Sequence, residues 1–136
     1  MRIRMEPPIV LLVERAAHHA LRALDAALPG IGAAEANALG CFGAEDARRV
    51  GDLVRATGQR PSTLTGVLDR LEAAGHVDRR PDPADRRAVL AVLTPQGREA
   101  RDRVLAAMRA LEPDLPEDEA RALRRALERF AAETPE

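Results

Sequence analysis

Between residues 8 and 28 the apolar side chains Ile9, Val13, Ala16, Ala17, Ala20, Leu24 and Leu28 recur at intervals of three and four. That interval marks one face of a helix. Pro29-Gly30 stops it. An Ala-rich helix is predicted over 33–42, with Leu39 and Phe42 inward, before Gly43 opens a polar connector. Val50, Leu53 and Val54 share one side of a short helix over 50–57, and Gly58 fits the glycine position just past its end. Pro61 suits the first position of the next helix, where its missing N–H loses no partner. Leu64, Val67, Leu68 and Leu71 form the inner face of that helix and Gly75 ends it. Two helices of this size joined by Gly58-Gln59-Arg60 make a helix-turn-helix pattern.

Only two segments read as strand, Val77–Arg80 and Arg87–Leu93, with a polar turn over Pro81–Arg86 between them. They form a hairpin, or wing. Thr94-Pro95 is an N-cap followed by proline at the first helical position, and opens a helix to about Leu111 with Val104, Leu105, Met108 and Leu111 apolar. The break Glu112–Pro116 leads to a last helix from Glu117 to about Ala132, striped by Ala120, Leu123, Leu127 and Phe130. Its acidic start and its later arginines Arg124, Arg125 and Arg129 suit the helix dipole. The terminal helices have apolar faces with no partner inside a small helix-turn-helix core. Burying them against a second copy predicts a C2 dimer.

Composition narrows the function. Of 136 residues, 46% are hydrophobic, with two Phe, no Tyr and no Trp, so Leu, Val and Ala must fill the core. The net charge of −1 excludes a generally basic nucleic-acid coat but leaves room for a local patch. All 21 basic residues are Arg, so any phosphate contact is a guanidinium contact. Cys41 is the sole cysteine, which rules out an intrachain disulfide. It reads as a buried structural cysteine rather than a redox sensor. His18 and His19 are adjacent on a helix and diverge by about 100°, which does not suit a metal. The few histidines are not placed for catalysis and there is no Gly-rich phosphate loop, so no enzyme, metal or cofactor is expected. No apolar run approaches the ~20 residues of a spanning helix, and the N-terminus lacks a signal-peptide layout; no membrane association and a cytoplasmic location are expected.

The stretch from Pro61 to Gly97 then resembles a known family. Ser62-Thr63-Leu64-Thr65, Leu68-Asp69-Arg70-Leu71-Glu72, Gly75, Val77-x-Arg79, Asp82-Pro83-x-Asp85-Arg86-Arg87 and Leu93-Thr94-x-x-Gly97 occur in the order and spacing of the MarR family of bacterial transcriptional regulators. The resemblance implies an obligate homodimer on a pseudo-palindromic operator. The recognition helix would lie in the major groove and the wing in the adjacent minor groove. A small, often phenolic or anionic effector would release the DNA. The fold class expected is mainly α with a small β-hairpin wing: a winged helix-turn-helix with N- and C-terminal dimerisation helices. The expected division is 1–30 for the N-terminal dimerisation helix, 31–94 for the DNA-binding region and 95–136 for the C-terminal dimerisation helices. A winged-helix interaction module with weak or no DNA binding is the alternative.

On the recognition helix the face opposite the core holds Ser62, Thr65, Gly66, Asp69 and Ala73, flanked by Thr63 and Arg70. Short donors and acceptors near a helix N-terminus suit major-groove readout. Gly66 departs from the family, where the resemblance implies a larger polar or basic residue. In the wing, Arg86 and Arg87 sit at the expected hairpin tip, and a narrow minor groove attracts Arg. The resemblance assigns groove insertion to Arg87, with Asp85 holding its guanidinium. Arg60, Arg70, Arg79 and Arg80 are expected phosphate contacts. Residues 45–90 carry nine Arg against eight acids, so affinity must come from placement rather than bulk charge.

Overall fold

The computed structural model describes residues 5–132. The outermost parts of the expected terminal segments, 1–4 and 133–136, lie outside the described residues. Six helices and three strands follow in the order α1 (Ile9–Ala27), α2 (Ala33–Gly40), β1 (Ala47–Arg49), α3 (Val50–Thr57), α4 (Pro61–Ala73), β2 (Val77–Asp82), β3 (Asp85–Leu93), α5 (Pro95–Ala110) and α6 (Glu117–Ala132). Every helix expected from the apolar spacing is present, with ends within about two residues.

One core joins the middle of the chain. Leu39 of α2, Phe42 just after it, Leu53 of α3, and Leu64, Val67, Leu68 and Leu71 of α4 are buried together with Val77, Ala91 and Leu93 of the sheet and Ala100 and Val104 of α5. Removing a side chain such as Leu68 from this core would cost about 2–5 kcal/mol. The turn between α3 and α4 is made at Gly58, whose φ of 68° is left-handed. The end of α4 is a Schellman motif: His76 N–H donates to Leu71 O at 2.9 Å and Gly75 N–H to Glu72 O at 3.0 Å, with Gly75 at φ 78°.

The sheet departs from the expected two-stranded hairpin. It has three antiparallel strands in the order β1-β3-β2. The strand β1 is Ala-Arg-Arg, with no apolar alternation to betray it; pairing with β3 at Ala47↔Val92, Arg48↔Ala91 and Arg49↔Leu90 makes it a strand. The strands β2 and β3 are longer than expected and leave only Pro83-Ala84 as the turn.

At both ends of the chain the apolar stripes stay uncovered. Ile9, Val10, Leu11 and Leu12 of α1 and Leu123, Leu127 and Phe130 of α6 are exposed, and α6 has no buried residue. Of the expected inner face of α1 only Leu24, with Leu28 just past its end, joins the core.

Candidate nucleic-acid interface

Helix α4 is positioned from below by its four buried residues Leu64, Val67, Leu68 and Leu71. Its opposite edge carries Ser62, Thr63 and Thr65, all exposed, and the half-buried Gly66. Ser62 and Thr63 hydroxyls make no hydrogen bond among the described residues, while Thr65 Oγ1 donates to Pro61 O at 3.0 Å and keeps its lone pairs free. A Cβ at Gly66 would meet only the Arg70 guanidinium, at an ordinary van der Waals distance of 3.7 Å, so this position has room for a methyl group.

The arginines expected to contact phosphate divide into two groups. Arg70 is ion-paired with Glu35 at the start of α2. Arg79 reaches back from β2 to α4, with Nη2 2.5 Å from Asp69 and 2.6 Å from Glu72. These two acids hold the Arg79 pKa above its ordinary value, Glu72 most strongly. Arg80 lies 3.6 Å from Asp78. Arg70 and Arg79 therefore pin α4 from both flanks, to α2 and to the sheet. Arg60, Arg86 and Arg87, all exposed, have no ion pair or side-chain hydrogen bond among the described residues.

The wing presents its two arginines on a bulge. Pro81 pairs with Val89 and Asp82 with Asp85, so Arg86, Arg87 and Ala88 have no partner on β2; β1 has already ended opposite Leu90. Such a bulge turns side chains away from the regular sheet face. The Asp85 carboxylate accepts the Arg87 backbone N–H at 3.0 Å rather than its guanidinium, so it shapes the strand and leaves the Arg87 head free. Arg87 also lines a cavity with Arg49, Arg55 and the N-terminal residues Val50 and Gly51 of α3. Asp52 lines it too and pairs with Arg55, and Arg49 pairs with Asp82, so Arg87 is its one arginine without an ion pair among the described residues.

Supporting residues Glu35, Arg49 and Arg101 carry no signal in the sequence, because their partners Arg70, Asp82 and Asp46 are distant along the chain. Asp82 belongs to the motif, and the fold buries its carboxylate. It accepts the Ala84 N–H at 2.9 Å and lies 2.7 Å from Arg49 Nε. Cys41 is half-buried, its Sγ donating to Asn37 Oδ1 at 3.7 Å; burial pushes the thiol pKa up and the nearby Arg48 offsets part of that. Among the described residues no three His, Cys, Asp or Glu come together to hold a metal ion, and no helix is long and apolar enough to cross a membrane.

Two further cavities bear on partners. A groove of about 900 Å³ runs between α1 and α6, lined by Ile9, Leu12, Val13, Leu123, Leu127 and Phe130 among others. A smaller one of about 240 Å³ lies between α2 and α4 beside Glu35, Arg70 and His76.

Known proteins share this arrangement. The family model described as MarR family matches residues 29–88. The structure of CouR from Rhodococcus jostii RHA1 bound to p-coumaroyl-CoA is 31% identical, with a TM-score of 0.78 and 94% of each chain covered. A mutant MarR from E. coli complexed with operator DNA is 26% identical, with a TM-score of 0.72 over 90% of this chain and 93% of that one. BpsR of Bordetella bronchiseptica, described as regulated in its DNA binding by 6-hydroxynicotinic acid, is 27% identical, with a TM-score of 0.71 over 90% and 98%. The HTH-type transcriptional regulator YcgE of Bacillus subtilis (strain 168) is 48% identical over 42 residues, which are 31% of this chain and only 27% of that protein.

Proposed function

This chain belongs to the MarR family of transcriptional regulators, and from that premise we propose that it is a homodimeric repressor that binds a pseudo-palindromic duplex operator. The observation that carries the reading is the state of the arginines. Where α4 needs fixing, its arginine partners are paired; where DNA would lie, Arg60, Arg86 and Arg87 are free and exposed. Ser62, Thr63 and Thr65 would read base edges in the major groove, with Gly66 allowing close approach of the α4 backbone. Arg87, with Arg86 beside it on the bulge, would enter the minor groove. Arg60 would meet a phosphate at the start of α4, and Arg80, only loosely paired, would meet one at the wing. Arg70, Arg79 and Asp85 would serve this surface by holding α4 and the bulge in place.

The apolar groove between α1 and α6 supports a second copy of the chain as its occupant, because both helices leave their stripes exposed and α6 has no buried residue. Segments 1–30 and 95–136 would form that dimer around the DNA-binding segment 31–94. The relatives that bind p-coumaroyl-CoA or respond to 6-hydroxynicotinic acid support release of DNA by a small, anionic effector. A cytoplasmic regulator without catalytic activity is the role this implies.

Capture of genomic fragments by the purified full chain tests the reading. An enriched inverted repeat is expected, with half-sites about one helical turn apart and binding that falls steeply with salt. No enrichment, or salt-independent binding, would favour an interaction module instead.

A further inference from the structure

Two ion-pair anchors lie in series behind the wing; Arg101 and Asp82 are not among the residues proposed to meet DNA, while Arg49 of the second anchor shares a cavity with Arg87. The first is Arg101, on the second turn of α5. Its side chain is only 9% exposed, and Nη1 donates to Glu45 O at 2.9 Å and to Asp46 Oδ1 at 3.0 Å, while Nε donates to Asp102 Oδ1 at 3.0 Å. Burial opposes its charge, yet the carboxylates of Asp102 and Asp46 raise its pKa overall. A buried guanidinium with both Nη1 bonds directed at one connector, and its Nε held by the neighbouring Asp102 on α5, fixes that connector firmly. Asp46 O in turn accepts Leu93 N–H at 2.8 Å, so residues 45–46 are held to both α5 and β3.

The connector leads straight into β1, and β1 ends in the second anchor. Arg49 reaches from this outer strand across the central β3 to Asp82 on the other outer strand. Asp82 is the last residue of β2 before the turn and pairs with Asp85, the residue that opens the bulge. Its second oxygen holds the Ala84 N–H. The bulge residues Arg86, Arg87 and Ala88 have no cross-strand partners of their own, so their course depends on how this base is held.

We propose that Arg101, Asp46, Arg49 and Asp82 are positioning residues for DNA binding: Arg101 sets the place of β1 from α5, and the Arg49–Asp82 clasp carries that placement to the bulge bearing Arg86 and Arg87. This rests on the reading of the wing as a DNA contact. Arg101 and Asp82 have no direct contact with each other, so two independent structural roles would give independent effects. A serial anchor gives overlapping ones, because losing either link already frees the bulge.

The test is a double-mutant cycle on the full chain with Arg101→Met and Asp82→Asn. The probe is a duplex that the wild-type chain selects from a random-sequence pool. Each single substitution is expected to weaken binding about tenfold. The double variant is expected to bind no more weakly than the poorer single one. Losses that multiply to about a hundredfold, or unchanged affinity in both singles, would overturn the proposal. Hydrogen exchange on the DNA-free protein reads the same claim without operator binding: exchange of the Ala84 and Arg87 amides, held by Asp82 and Asp85, is expected to rise about tenfold in both singles. Unchanged exchange there would overturn it. If the wild-type chain selects no duplex, the functional reading falls, and the exchange result alone decides the anchoring. Should Arg101→Met fail to fold, Asp46→Ala removes the Arg101–Asp46 bond from its exposed side and takes its place in the cycle.

Discussion

Gly97 sits so close to the His76 carbonyl that a Cβ at position 97 would overlap that oxygen. This approach joins the first turn of α5 to the residue just before β2. Thr94 secures the same corner: its N–H donates to His76 O at 3.0 Å, its hydroxyl donates to Gly75 O at 2.5 Å, and it accepts the Gly97 N–H at 3.0 Å. The Leu93-Thr94-x-x-Gly97 pattern thus encodes a junction between the wing sheet and α5. Backbone cannot yield as a flexible side chain would. Gly97→Ala is expected to cost about 1–3 kcal/mol, within the range of overpacking. Denaturant unfolding checks it, and a variant as stable as wild type would refute the close packing.

Gly66 is the opposite case. Its neighbourhood is open, it lies mid-helix in α4, and its φ is not positive. Gly66→Ala is expected to stabilise the protein by about 1 kcal/mol through helix propensity and a less flexible unfolded chain. Unfolding measurements give the gain. If close approach to DNA is the reason for glycine here, affinity for a selected duplex falls in the same variant.

The Glu35–Arg70 pair gives a pH signature. Burial of Glu35 raises its pKa, but the Arg70 hydrogen bond, its own backbone N–H and the Arg70 charge together bring it below the ordinary value. A depressed folded-state pKa stabilises above the unfolded-state pKa, and the contribution is lost as pH falls through the folded one. Glu35→Gln is therefore expected to be less stable than wild type at neutral pH, with the gap closing as pH falls below the ordinary glutamate value and through the depressed one. A gap that stays constant from neutral to acid would mean that the charge is not what matters.

Leu127 and Phe130 are about half exposed on α6 and face the groove shared with Ile9 and Leu12. A charge there opposes burial against a second copy. Leu127→Glu is expected to shift sedimentation from dimer toward monomer. A wild-type chain that sediments as a monomer would refute the dimer itself.

The helices were legible because each carries its own three-and-four apolar spacing or its own stop signal, as with Pro61, Gly75 and Thr94-Pro95. The strand β1 was not, because Ala47, Arg48 and Arg49 are a strand only through pairing with β3. The bulge was equally silent, since it arises from the mismatch between Pro81↔Val89 and Asp82↔Asp85 rather than from either strand alone. Among the candidate site residues, the motif located Arg86 and Arg87, and the helix start just before it located Arg60, where the structure leaves them free. It treated Arg70 and Arg79 alike with these. Their partners Glu35, Asp69 and Glu72 are ordinary acids in sequence, and only the fold brings them within reach.

The claim that the bulged wing carries DNA binding is tested most directly by titrating a selected duplex with wild-type chain and Arg87→Ala side by side, with unfolding midpoints measured on the same samples. Arg87 makes no side-chain hydrogen bond or ion pair among the described residues, so its truncation is expected to leave the fold intact. The expected result is affinity at least about tenfold weaker, consistent with loss of a charge-assisted contact, at an unchanged midpoint. Equal affinity for the two proteins would contradict it.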